Sequence, residues 1–169
     1  MWLTPITDRT LEDVIYARSK VKEWIAAYSR GETPTVTDLK GCVNASDLNR
    51  IEGNLDYLNQ RVIFKGGVPD ERLVVKTWKR GEVVQYSDVR RLLNNALYVM
   101  DLYDLYGAVP IHPVTIRDYK DMNNLEIMTQ LAKEQITARW EQLSSLPWGD
   151  MSNTYWDDAI SRTSPFETG

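Results

Sequence analysis

Asn44-Ala45-Ser46-Asp47-Leu48-Asn49-Arg50-Ile51-Glu52-Gly53-Asn54-Leu55-Asp56-Tyr57-Leu58 is the stretch that decides the fold. Its apolar residues Leu48, Ile51, Leu55 and Leu58, continued by Val62, follow one another at intervals of three and four, the spacing of a core-facing helical seam. The pattern predicts a helix over residues 45–64, starting near Asn44 or Ser46 and stopped by Gly66-Gly67 and Pro69.

Outward from that block the start recurs. Gln85-Tyr86-Ser87-Asp88-Val89-Arg90-Arg91-Leu92 and Asp118-Tyr119-Lys120-Asp121-Met122-Asn123-Asn124-Leu125 have the same order: an Asp, an apolar residue, two polar residues, an apolar residue. Physically this is a helix entry in which the Asp meets the positive end of the helix dipole and two apolar residues three apart enter the core. The polar pairs Asn49-Arg50, Arg90-Arg91 and Asn123-Asn124 then fall on an outer or inter-helix face. Any capped amphipathic helix has these features, but three occurrences in one chain point to a repeated helical unit.

Two of the remaining helices follow from these starts. Val89, Leu92, Ala96, Val99, Tyr103 and Tyr106 predict a helix over 87–106 behind a Ser87 cap, closed by Gly107 and Pro110. Met122, Leu125, Thr129, Ala132, Ile136 and Leu143 predict another over 118–146, ended by Pro147. Ahead of the block, Thr10 with Asp13 makes a capping box for a helix over 10–29, with Leu11, Val14, Ile15, Val21, Trp24, Ile25 and Tyr28 as its core side and Gly31 and Pro34 as its stop. The β-branched run Arg72-Leu73-Val74-Val75-Lys76-Thr77-Trp78 reads as a short strand or an extended crossover, and extended is the expectation. The fold class is therefore all-α: a small bundle of about four amphipathic helices over residues 1–146, with a short extended crossover and an irregular aromatic tail over 147–169.

The composition narrows the function. With 43% apolar and 26% charged residues the chain suits one ordinary globular domain. Twenty basic against 24 acidic side chains, with a pI near 5.1, supply no bulk field for coating nucleic acid. One cysteine, Cys42, and one histidine, His112, are too few for a disulfide or a usual zinc site, so neither metal nor organic cofactor is expected. No apolar run has the roughly 18–20 residues of a membrane helix, and the start Met1-Trp2-Leu3-Thr4-Pro5 lacks the basic and apolar regions of a leader, so membrane insertion is not expected and synthesis in the cytoplasm is.

The 44–58 block, preceded by Asp8-Arg9-Thr10 and Asp13-Val14 and followed by Thr77-Trp78 and Asp88-Val89-Arg90-Arg91-Leu92-Leu93-Asn94-Asn95, resembles small proteins encoded among the tail and baseplate genes of bacteriophages and prophages of Gram-positive bacteria. In that group N-A-x-D-L-N-R-I-E-x-N helix starts recur within one chain or at the front of a longer fibre-like protein. The resemblance spans roughly residues 7–140 and is most specific over 44–58. It departs at Arg90-Arg91, where the first unit has Asn49-Arg50, and in the tail after Pro147. The resemblance implies a virion component, made in the host cytoplasm and then held in the tail, with other virion proteins and copies of itself as partners. It implies no catalytic residues.

Chemistry read from the residues alone agrees with a non-enzyme. Cys42 and His112 are the one conceivable nucleophile pair, with nothing nearby in sequence to orient the imidazole. The carboxylate pairs Asp101/Asp104 and Asp157/Asp158 read as solvated faces rather than glycosidase acids, and Gly31 and Gly66-Gly67 lack the Lys-Ser/Thr of a phosphate loop. Lys76, Lys79 and Arg80 around Trp78, with Arg90 and Arg91 beyond, make one basic aromatic cluster suited to an acidic protein surface. The expected contact residues are Trp78, Arg90, Arg91, Trp148, Tyr155 and Trp156, since exposed Trp, Tyr and Arg are the usual interface anchors. The tail aromatics are expected to dock on the chain's own helices or on a neighbour, because ordering such a segment costs on the order of 1 kcal/mol or more per residue. Two rival readings stand beside a structural component: a carbohydrate- or receptor-binding module using Tyr98, Tyr106 and Asp101, and an assembly chaperone.

Overall fold

Each helix begins with an Asp that closes its own first turn. The backbone N–H of Thr10 donates to Asp13 Oδ2 (2.8 Å), that of Asn44 to Asp47 Oδ2 (3.1 Å), that of Gln85 to Asp88 Oδ2 (3.2 Å) and that of Arg117 to Asp121 Oδ2 (2.8 Å). A free N–H at the helix start and a negative charge on the dipole are satisfied together. The computed structural model describes residues 1–65, 67–111 and 114–145. The helices it contains are α1 (Leu11–Ser29), α2 (Ala45–Gln60) followed by a 3-10 turn (Val62–Lys65), α3 (Tyr86–Leu102) and α4 (Tyr119–Ser144). Among the described residues no strand forms, and the protein is an all-α helical bundle.

α2, α3 and α4 share one core. The seam read from the sequence is buried in α2 (Leu48, Ile51, Leu55, Leu58, with Val62 beyond), in α3 (Leu92, Ala96, Val99, with Tyr103 at its end) and in α4 (Met122, Leu125, Thr129, Ala132, Ile136). The three helices run in the same direction. Arg50 and Tyr57 of α2 meet Glu126 and Lys133 of α4 in the same order along both helices, and Arg91 and Tyr103 of α3 meet Glu52 and Leu58 of α2 likewise. Parallel neighbours need long returns, which residues 61–85 and 103–118 supply.

Three expectations change, the smallest being that the third helix is capped by Gln85 rather than Ser87. The third helix stops at Leu102 rather than 106, because Asp104 takes a left-handed backbone (φ 52°) and Gly107 another (φ 81°), so Tyr106 leaves the seam and is 64% exposed. The larger correction concerns α1. Of its expected core side, Leu11, Ile15, Ile25 and Tyr28 are exposed and Val14, Val21 and Trp24 half-buried; the residues it buries are Ala17 and Ala27. No α1 residue belongs to the core cluster. The return of its own chain presses on the first turn of α1 so closely that a Cβ on Gly41 would lie 2.0 Å from the Asp13 carbonyl oxygen.

Candidate interaction surface

The polar residues of the helix starts face inward, and they hold backbone. Asn49 and Asn123 come two residues after Asp47 and Asp121, and Glu52 and Glu126 come five after. Asn49 receives the N–H of Trp78 at Oδ1 (2.7 Å) and donates from Nδ2 to its carbonyl (2.9 Å); Asn123 does the same for Arg9 (3.2 and 2.9 Å). Glu52 Oε2 accepts the Lys76 N–H (3.3 Å), as Glu126 Oε2 accepts that of Ile6 (2.8 Å). Asn54 and Asn95, seven residues after Asp47 and Asp88, complete the set: Asn54 holds both backbone groups of Leu3, and Asn95 donates to the Val74 carbonyl (2.8 Å). Two irregular segments, residues 3–9 and 74–78, are thus strapped into two equivalent grooves, α2/α4 and α2/α3. Their main-chain groups are met by side chains, so they need no partner strand. The β-branched run is an extended crossover for this reason.

Each strap is locked by a guanidinium. Arg50 joins Glu126 (Nη2–Oε1 2.6 Å) to Asp47 (2.5 Å), and Arg9 bridges the same two carboxylates at 2.9 Å each. Arg9, Asp47 and Glu126 are all buried, Glu126 completely. Burial pushes the Asp47 carboxyl up, but hydrogen bonds from Arg50 and Asn44 and the charge of Arg9 outweigh it and hold it below the ordinary carboxylate range. Burial likewise works against the charge of Arg50, and Glu126 and Asp47 reverse it, so its pKa lies above the ordinary arginine value. Across the other groove Arg91 grips Glu52 with both terminal nitrogens and also donates to the Val74 carbonyl; its pKa is raised chiefly by the hydrogen bond to Glu52.

This geometry reassigns the expected contact residues. Trp78 is 4% exposed: its ring lies in the core, Nε1–H points at Glu52 (3.3 Å) and the Lys76 ammonium sits 3.9 Å above it. It is an internal anchor, not an exposed one, because Asn49 pins its backbone to α2. Arg91 is spent on Glu52, so the structure joins Trp78 and Arg91 through one carboxylate. Arg90 points out, over the ring of exposed Tyr86 at 5.9 Å. At the places of Asn49 and Glu52, α3 has Arg90 and Leu93, which cannot hold a strap. Trp148, Tyr155 and Trp156 lie outside the described residues, as does His112. Cys42 is half-buried, and burial, then the nearby Asp47 charge, pushes its thiol up, away from the thiolate a nucleophile needs. Of the aromatic set on α3 and just past its end, Tyr103 is buried and donates to the Leu58 carbonyl (2.7 Å), Tyr98 is half-buried, and Asp101 and Tyr106 are exposed.

The surface that sequence reasoning missed is the outward side of α1. Leu11, Ile15, Arg18, Lys22 and Ile25 follow one another at alternating steps of four and three, and all five are exposed. Tyr28 flanks them. Its apolar members Leu11, Ile15 and Ile25 belong to the stripe read as core, so the sequence showed the row but gave it the wrong side. Among the described residues no group of His, Cys, Asp and Glu is placed to hold a metal ion, and no helix is long and apolar enough to cross a membrane. Compared with known proteins, the chain matches no family model, no curated protein and no solved structure.

Proposed function

We propose that this chain is a non-enzymatic structural component of a phage virion, set in the tail, baseplate or fibre region and acting through protein–protein contacts. The observation that carries the reading is the outward side of α1, where Leu11, Ile15 and Ile25 are 54%, 58% and 60% exposed on a helix with no residue in the core cluster. An apolar row of that kind on a helix is stabilised when a partner covers it. The resemblance of the 44–58 block to tail and baseplate proteins supplies the setting, and the motif's polar residues, being used to strap the fold, are left with no catalytic task. The test is a variant carrying Ile15→Asp and Ile25→Asp. It should melt like the unmodified chain, be made in infected cells and be missing from purified particles by mass spectrometry. A variant incorporated at full stoichiometry refutes the reading.

The exposure of both Tyr106 and Asp101 favours one rival, a carbohydrate-binding face at the tail tip. Retention of the protein on host cell wall, lost on Tyr106→Ala, separates it from the first.

A further inference from the structure

α1 lies beside the N-terminal ends of α4 and α2. Its first turns share a pocket of about 480 Å³ with Tyr119 and Met122 at the start of α4, and Trp24 shares a cleft with Ala45 and Leu48 at the start of α2. The exposed 11–15–18–22–25 seam, whose Leu11 and Arg18 also border that pocket, has the spacing of a two-helix contact, but its middle is basic: Arg18 and Lys22 are exposed and enter no ion pair among the described residues. A second copy's α1 is therefore the wrong occupant, since it would set Arg18 and Lys22 against themselves.

The chain carries a segment of the complementary kind. Residues 146–169 hold Asp150, Asp157, Asp158 and Glu167 against one base, Arg162, together with Trp148, Tyr155, Trp156 and Phe166. It begins at the opposite end of the molecule. α4 has 26 residues, so its last turn lies about 39 Å from the end where α1 sits. An extended chain spans at most about 3.6 Å per residue, which leaves Trp148 within roughly 14 Å of Ser144 and some 25 Å short of its own α1. Residues 148–158 cannot all lie along the α1 of their own chain, because Trp148 falls short of it, although Asp157 and Asp158, with a reach of about 47 Å or more from Ser144, can touch it. The whole stretch can reach the N-terminal end of a molecule stacked behind.

We propose that residues 148–158 of one copy dock on the α1 seam of the next, aromatic rings over Leu11, Ile15 and Ile25 and Asp157 and Asp158 against Arg18 and Lys22. The proposal deepens the reading of α1 as a contact surface by naming what covers it. The contact is head-to-tail: every copy offers one tail and one seam, so it propagates into a row or closes into a ring.

The experiment uses two full-length variants, Arg18→Glu with Lys22→Glu, and Asp157→Lys with Asp158→Lys, each checked by circular dichroism and followed by sedimentation equilibrium over a range of concentrations. The unmodified chain should self-associate, and each variant alone should do so at least tenfold more weakly. Their equimolar mixture should recover, because the reversed seam of one fits the reversed tail of the other while their unreversed seam and tail also pair. A monomeric unmodified chain, or a mixture no more associated than its components, overturns the proposal. So does a lower melting temperature of either variant at unchanged mass, the mark of a tail folded onto its own chain. In each case incorporation of the Ile15→Asp, Ile25→Asp variant into particles still decides the α1 reading separately.

Discussion

Replacing Glu126 by Gln removes the carboxylate on which the α2/α4 groove closes. Glu126 is fully buried and accepts four hydrogen bonds: from Arg9 Nη2 (2.9 Å), Arg50 Nε (2.9 Å), Arg50 Nη2 (2.6 Å) and the Ile6 N–H (2.8 Å). Three of the four come from guanidinium groups, and bonds to charged groups contribute about 1.5–3 kcal/mol each, net of the water they replace. The amide keeps one acceptor but neutralises the site, leaving two guanidiniums with Asp47 as their one remaining carboxylate. Breaking a buried pair from one side costs about 3–5 kcal/mol, which for a domain of this length lowers Tm by roughly 6–20 °C. The assay is thermal unfolding at neutral pH, with Arg30→Ala as a control that should leave Tm unmoved, since the Arg30–Glu32 pair is exposed. A loss below about 1 kcal/mol for Glu126→Gln would mean that water reaches the network, and the strap would not depend on it.

Three further outcomes follow from the same geometry. Asn49→Ala strands the Trp78 N–H and carbonyl; it should cost roughly 1–3 kcal/mol and deprotect the Trp78 amide in hydrogen exchange. Gly41→Ala puts a methyl group into the backbone of Asp13, so the loop or α1 must shift; exchange in α1 should rise at a cost of about 1–3 kcal/mol while α2–α4 keep their protection. Because Asp47 has its pKa lowered in the folded state, its stabilisation is complete above about pH 4, the unfolded value, and is lost as the pH falls through the lower folded value. Asp47→Asn should flatten the acid limb of a stability-against-pH curve below pH 4, and an unchanged limb would exclude Asp47 as its source.

What the sequence revealed and hid divides along a physical line. The seam through Leu48, Ile51, Leu55, Leu58 and Val62 was legible because burial on one side of a helix writes a period into the apolar residues. The same period misled in α1, where Leu11, Ile15 and Ile25 of the apolar stripe are exposed and the buried positions are Ala17 and Ala27, whose small side chains carry little hydrophobic signal. Trp78 among Lys76, Lys79 and Arg80 looked exposed; its burial depends on Asn49 and Glu52, which lie 29 and 26 residues earlier. Arg90 and Arg91 are neighbours with opposite fates, and only the position of Glu52 on another helix separates them. Equivalence of the Asn and Glu positions in the first and third helix starts was there to be read, but its meaning, two grooves with a strap in each, needs the backbone those side chains hold.

The strap at residues 3–9 sets an order of events during synthesis. Leu3 can find Asn54 once α2 has been made, but Ile6 and Arg9 wait for Glu126 and Asn123, which lie 120 and 114 residues further on. Until α4 has left the ribosome, Arg50 and Asp47 have no Glu126 to close on, and residues 6–9, made ahead of α2, are fixed only after α4. Contacts so distant along the chain slow folding relative to a bundle of local hairpins. A chain interrupted before α4 therefore leaves two charged side chains of α2 facing an open groove, and it lacks the helix whose arrival seats the strap leading into α1.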